Sequence, residues 1–177
     1  MTPNEYDIHG ILNELRDGYQ RSLQQELPTD IEQVEVLCFR IGDILCGCEM
    51  LHVARVIPTQ RVVPLPRLTG PVVGVFNYHG AITAALDLRY LLNLFVAGPL
   101  AAERIVIVKG KEFLSGLLIG EIVGLEMIPR ISLKKLSAEA EGVYTIPMQG
   151  EFLSANGTVN LIDVPRLLTL PEVIVSH

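Results

Sequence analysis

A short segment occurs twice in this chain, 76 residues apart. Leu86-Asp87-Leu88-Arg89-Tyr90-Leu91-Leu92 matches Ile162-Asp163-Val164-Pro165-Arg166-Leu167-Leu168 position by position, and strand-turn-strand units around Gly42 and Gly110 recur at a similar offset. A repeat on this scale means that one supersecondary unit is used twice. In each copy the Asp is placed to cap the helix that follows, with Pro165 at the first turn of the second. A chain of 177 residues is one domain, or two small ones sharing a core. Neither half alone buries much apolar surface, so the aliphatic faces of the two halves are expected to meet.

From residue 33 onward the pattern is β. Residues 33–41 are rich in Val, Leu and Phe, Gly42-Asp43 reads as a hairpin turn, and 44–48 returns. Pro58, Pro64, Pro66 and Pro71 punctuate a loop-rich passage that no central strand could accommodate. Strands are expected over 72–77 and 81–86, joined by the tight turn Asn77-Tyr78-His79-Gly80, with a short helix over 89–95. After Gly98-Pro99 the pattern restarts: 104–108, a turn at Lys109-Gly110-Lys111, then 113–119. Two closing strands, around Phe152 and over 158–162, flank the turn Asn156-Gly157.

The first thirty residues differ. Ile8, Ile11, Leu12, Leu15, Tyr19 and Leu23 recur at three- and four-residue spacing with polar residues between them, the pattern of an amphipathic helix closed by Pro28. This segment holds six acids (Glu5, Asp7, Glu14, Asp17, Glu26, Asp30) against two bases (Arg16, Arg21), and so carries −4 of the chain's −6. Its stripe is narrow, the kind more often packed on its own protein than on a partner.

The acidic balance and the lack of any Lys/Arg block argue against a nucleic-acid or anionic-membrane surface. The acidic N-terminus lacks the basic and apolar regions of a signal peptide. The longest greasy region, 86–102, is broken by Asp87, Arg89, Asn93, Gly98 and Pro99, well short of the ~18 apolar residues of a membrane span. A cytoplasmic protein is expected, and the odd number of cysteines (Cys38, Cys46, Cys48) fits a reducing compartment.

Catalytic constellations are missing. The four histidines (His9, His52, His79, His177) are scattered, no serine has a nucleophile-elbow context, and no glycine loop has phosphate-cradling spacing. No enzyme, no cofactor and no metal is expected. Cys46-x-Cys48 with His52 is the one metal-like grouping, but one intervening residue is fewer than structural zinc sites use, and no second pair follows. Cysteine as a small core hydrophobe is the simpler reading, with a small metal- or ligand-binding barrel as the remote alternative.

The order of the pieces resembles the CheW-like domain family. They are Cys38-Phe39-Arg40-Ile41-Gly42 with Gly47, Val53, Val56-Ile57, Val63-Pro64-Leu65-Pro66, Val73-Gly74-Val75-Phe76-Asn77-Tyr78-His79-Gly80, Leu86-Asp87-Leu88-Arg89, Ile105-Val106-Ile107-Val108, Gly116-Leu117-Leu118-Ile119 and Leu161-Ile162-Asp163-Val164, together spanning about 34–170. The resemblance implies a mainly β fold of two intertwined, five-stranded SH3-like barrels packed together, with the N-terminal amphipathic helix and short helices added. The expected organisation is an extension over 1–30, one CheW-like domain over 31–170 with a barrel in 31–100 and another in 101–170, and a tail over 171–177. The implied role is that of a non-enzymatic adaptor in a chemosensory signal-transduction pathway. Its implied partners are the regulatory domain of a histidine kinase and the cytoplasmic tip of chemoreceptors, which would bring it to the membrane only through receptor arrays. The N-terminal helix resembles family variants serving pilus or other dedicated pathways.

Two departures stand out. The family's Asn-x-Arg-Gly turn is here Asn77-Tyr78-His79-Gly80, and a Glu that members often carry is here Arg55. Those positions are oppositely charged in the family and can pair across the fold; here that pair is lost. The Val-Pro after the turn is also replaced, by Thr83-Ala84. The expected partner-binding set is Val53, Arg55, Val75, Asn77, His79, Asp87 and Arg89. Structural readings stand beside it: Asn77 shaping the turn, Asp87 capping a helix, Val53 and Val75 in the core. A second reading from the same fold is a specialised adaptor that binds one of the two usual partners and modifies an array.

Overall fold

The computed structural model describes residues 31–68, 70–94, 101–136 and 145–174. The chain divides into Met1–Glu32 and Gln33–His177, and the architecture that follows is that of the second unit. The amphipathic helix expected within 1–30 lies outside the described residues, as do 175–177 of the expected tail.

Among the described residues, ten strands build two five-stranded sheets. They are β1 (Gln33–Ile41), β2 (Ile44–Glu49), β3 (Val53–Pro58), β4 (Val72–Tyr78), β5 (Ala81–Asp87), β6 (Arg104–Lys109), β7 (Leu114–Ile119), β8 (Ile122–Pro129), β9 (Met148–Ser154) and β10 (Gly157–Ile162). The first sheet runs β8-β1-β2-β10-β9 and the second β3-β6-β7-β5-β4. Neighbours pair antiparallel, except for one parallel contact in each sheet, β2 with β10 and β5 with β7. The second sheet is therefore built entirely from residues 53–119, nested between the strands of the first. This corrects the expectation of one barrel in 31–100 and another in 101–170, because each sheet takes strands from both sides of that boundary. The parallel contacts are the cause: β2 pairs with β1 on one edge, but its other edge closes onto β10 rather than onto β3.

The sheets curl so that their outer strands touch. In the second sheet Val63, beyond the end of β3, bridges to Val75 of β4 through two hydrogen bonds: Val63 N–H donates to the Val75 carbonyl (2.7 Å) and Val75 N–H to the Val63 carbonyl (2.9 Å). In the first sheet Lys134, beyond the end of β8, bridges to Glu151 of β9 in the same way, with both bonds at 2.9 Å. Each closure needs a glycine. A Cβ on Gly74 would overlap the Val63 carbonyl, and one on Gly150 would overlap the Lys134 carbonyl. These two glycines are 76 residues apart, the offset of the sequence repeat.

The central strands bury both faces, and the two faces enter different cores. In β1, Val34, Val36 and Cys38 pack with Leu45, Phe152, Val159 and Leu161 inside the first sheet. The alternate residues Leu37, Phe39 and Ile41 enter a larger core shared with Leu86, Val106, Val108, Leu117 and Ile119 of the second sheet. β6 divides likewise, with Ile105 and Ile107 joining Phe76, Ala85 and Leu118 in the second sheet's own core. The aliphatic faces of the two halves do meet, as expected. Each fully buried Leu, Ile or Phe there, such as Phe39 or Leu117, contributes roughly 2 kcal/mol by leaving water.

Expected and observed strands coincide at β1, and within two residues at β2, β4, β5, β6, β7 and β10. The expected helix over 89–95 is instead a single 3-10 turn, Leu88–Tyr90, continuing as turns to Asn93. A second copy of this feature is the short helix α1 (Val164–Leu167). Both pack apolar residues (Leu88, Leu91, Leu92; Val164, Leu167, Leu168) into the shared core. Among the described residues no helix is long and apolar enough to cross a membrane.

Candidate partner-binding surface

The expected set falls mostly on the second sheet, and its seven residues do different things. Val53 opens β3 opposite Val108 and is buried in the shared core. Arg55, just past a bulge in β3, is exposed. Val75 is half-buried and forms the closing bridge with Val63. Asn77 and His79 lie at the β4–β5 turn, both exposed. The Asn77 Oδ1 accepts from Gly80 N–H (2.8 Å), which sets the turn. His79 adopts φ 51°, a left-handed conformation uncommon outside glycine, and its ring meets Tyr78 edge to face with centroids 4.5 Å apart.

Asp87 and Arg89 are brought together. Asp87 is 2% exposed. Its Oδ1 accepts from the Arg89 N–H (3.1 Å), capping the 3-10 turn. Its carboxylate also receives the Arg89 guanidinium, Nη2 to Oδ2 at 2.6 Å and Nε to Oδ1 at 3.0 Å. Hydrogen bonding to Asp87 raises the Arg89 pKa further above its ordinary value. This pair is local and braces the turn. The repeat supplies a plainer copy: Asp163 Oδ1 accepts from Arg166 N–H at 3.0 Å. Arg55 and His79 share no hydrogen bond or ion pair.

Cys46 and Cys48 face the shared core and Cys38 faces the core of the first sheet. Burial pushes all three thiols up to about 12. They sit as hydrophobes, and among the described residues no group of three His, Cys, Asp or Glu is disposed to hold a metal ion.

Sequence reasoning missed one ion pair and one surface. Glu49, buried at the end of β2, pairs with Arg130, which opens the 3-10 turn after β8 (Nη2 to Oε2, 3.3 Å). The partners are 81 residues apart, and only a lone acid ending an apolar strand hints at it. The missed surface is the rim that runs from β3 to Arg67. Arg55, Arg61 and Arg67 are exposed along it, together with Val63 and Leu65.

Three comparisons bear on this architecture. The model of the CheW-like domain matches residues 35–172. Protein FrzA of Myxococcus xanthus is 28% identical over 95 residues, which is 54% of this chain and 59% of that protein. The match thus spans less than two thirds of the relative's length. The crystal structure of the scaffolding protein TtCheW from Thermoanaerobacter tengcongensis superposes with a TM-score of 0.69, at 18% identity, over 80% of this chain and 96% of that one.

Proposed function

Because this chain belongs to the CheW-like domain family, we propose that it is a non-enzymatic adaptor coupling chemoreceptors to a histidine kinase in a chemosensory pathway. The family match over 35–172 carries this reading, and the two-barrel fold agrees with it. Its partners would be the regulatory domain of the kinase and the cytoplasmic tip of the receptors, and it would act in the cytoplasm at receptor arrays. Arg55, Asn77 and His79 would meet partners directly, being exposed. Val75 would support them through the closing bridge, Val53 from the core, and the Asp87–Arg89 pair by bracing the turn after β5. Interfaces of this kind combine an aliphatic centre with a few polar anchors and suit reversible assembly. Titration calorimetry of the full chain with the kinase regulatory domain, and separately with a receptor-tip fragment from the same organism, tests it. Saturable one-to-one binding to both is expected. Heat from neither, at concentrations well above micromolar, sinks the adaptor reading.

A second reading is a specialised adaptor that keeps one partner. Arg55 and His79 favour it, since neither can supply the opposite-charge pair of the family pattern. The double substitution Arg55→Glu/His79→Arg should then restore binding of the missing partner. If it changes neither interaction, the two departures do not determine partner choice.

A further inference from the structure

The rim beside β3 carries a long run of the chain with cations and no acid. Between Met50 and Leu86 the chain has three arginines, Arg55, Arg61 and Arg67, and no acidic residue. All three are exposed, and none of their guanidinium groups makes a hydrogen bond or ion pair among the described residues. The elements paired with the rim do not neutralise it. β4 contributes no charged side chain, and β6 contributes Arg104 and Lys109. Glu103, just before β6, and Glu112, in the turn after it, are the carboxylates next to β6 in sequence; both are exposed and neither is ion-paired to an arginine of the rim. His79, at the far end of β4, adds no negative charge. Between Arg61 and Arg67 the chain exposes Val63 (51%) and Leu65 (37%). Arg67 is held at φ 66°, a conformation glycine would adopt without strain.

The backbone of the rim is poorly suited to strand addition. Pro58, Pro64 and Pro66 have no N–H, and both backbone groups of Val63 are used by Val75. The loop's start is also tied down, Thr59 Oγ1 donating to the Ala102 carbonyl at 2.8 Å. Recognition here is therefore expected to run mainly through side chains. The fitting partner element is one that satisfies its own backbone, namely a helix. A phosphate polymer or lipid surface fits poorly, because the chain carries −6 overall and aliphatic side chains separate the cations.

We infer that Arg55, Arg61 and Arg67, with Val63 and Leu65 between them, dock a partner protein's helix bearing acidic and aliphatic side chains on one face. This rests on the adaptor reading and specifies the chemistry of one of its partners. The charges would steer encounter and select the partner, and Val63 and Leu65 would be the part that becomes dry.

The test uses the full chain, its R55E/R61E/R67E variant, and K111E as a control carrying a charge reversal on an exposed residue elsewhere. The probes are a labelled helix-forming peptide with Glu and Leu on one face, its Lys-for-Glu counterpart, a short single-stranded DNA and phosphatidylglycerol vesicles. The Glu peptide should bind wild type and K111E alike, and bind the triple variant about tenfold or more weakly. Raising salt from about 50 to about 300 mM should weaken wild-type binding while leaving the variant nearly flat. The Lys peptide should not bind. Equal affinity of the triple variant for the Glu peptide overturns the proposal, as does DNA or vesicle binding tighter than the peptide's. The same proteins titrated with the kinase domain and the receptor tip separate the two failures. If wild type binds them and the triple variant binds both equally well, the adaptor reading stands and the rim proposal falls. If wild type binds neither while the Glu peptide still binds through the rim, the adaptor reading falls alone.

Discussion

Replacing Gly74 by Ala should open the second barrel. The new Cβ would overlap the Val63 carbonyl, so the 62–63 segment must move off β4 and both bridging hydrogen bonds go with it. At about 1 kcal/mol each, the lost bonds amount to about 2 kcal/mol. A strained backbone adds to this, since Gly74 sits at φ 158°. Gly124 separates the two effects. It has nearly the same φ, 155°, but a Cβ there meets nothing within 4 Å. Gly124→Ala therefore reports the backbone cost, of order 1–3 kcal/mol, alone. Gly74→Ala should exceed it by about 2 kcal/mol in guanidinium unfolding of the full chain, with an unchanged slope. Gly150→Ala, which strikes the Lys134 carbonyl at the equivalent closure, should show a similar excess. If Gly74→Ala and Gly124→Ala are equally stable within about 0.5 kcal/mol, the bridge is not a closure and the reasoning fails.

Other perturbations test other parts of the structure. Arg130→Met removes the ion pair from the buried Glu49; because Arg130 is partly exposed, the loss should fall between a surface pair's ~1 kcal/mol and a buried pair's ~3 kcal/mol, and be smaller in a Glu49→Leu background, by a double-mutant cycle. Asp87→Ala removes both a cap and the Arg89 ion pair and should cost about 2–4 kcal/mol, whereas Asp163→Ala removes a cap and should cost about 1 kcal/mol; equal shifts in melting temperature would count against the bracing role of the pair. The cysteines should resist thiol reagents at pH 8 until the chain unfolds, since a pKa near 12 leaves about one thiol in ten thousand ionised. Their folded pKa values lie above the ordinary 9.0, so their contribution to stability is fully present below pH 9 and is lost as pH rises from 9 toward 12; Cys46→Ala should flatten that alkaline fall, and an unchanged slope would contradict it.

The sequence was most readable where a strand enters two cores. β1 was placed residue for residue because a doubly buried strand is a continuous apolar run bounded by a turn. β3 and β8 were not seen as strands. They are outer strands with mixed exposure, and Arg55 in one and Glu126 in the other interrupt any alternation. The strand exchange was hidden as well. Pairing β2 with β10, and β5 with β7, depends on contacts that no local pattern encodes, so the repeat of 76 residues suggests consecutive barrel boundaries even though the family resemblance implies intertwined barrels. At the candidate surface, the roles of Asn77 and Asp87 in turn and cap were legible from residue type and position. The Glu49–Arg130 pair was not, because each partner is unremarkable in its own segment. The arginine rim was missed because it is defined by the absence of acids over a whole loop region, which spacing rules do not detect.

The nesting of one sheet inside the other sets an order of events during synthesis. Every strand of the second sheet has been made once residue 119 leaves the ribosome, so that sheet can close while the chain is still growing. β1 and β2, though made first, must wait for β10. Until about forty further residues emerge, the face carrying Val34, Val36 and Cys38 lacks Phe152, Val159 and Leu161, its partners in the first sheet's core. A nascent chain stalled after residue 119 would thus expose its oldest strands rather than its newest, and those strands are where a holdase chaperone would be found bound.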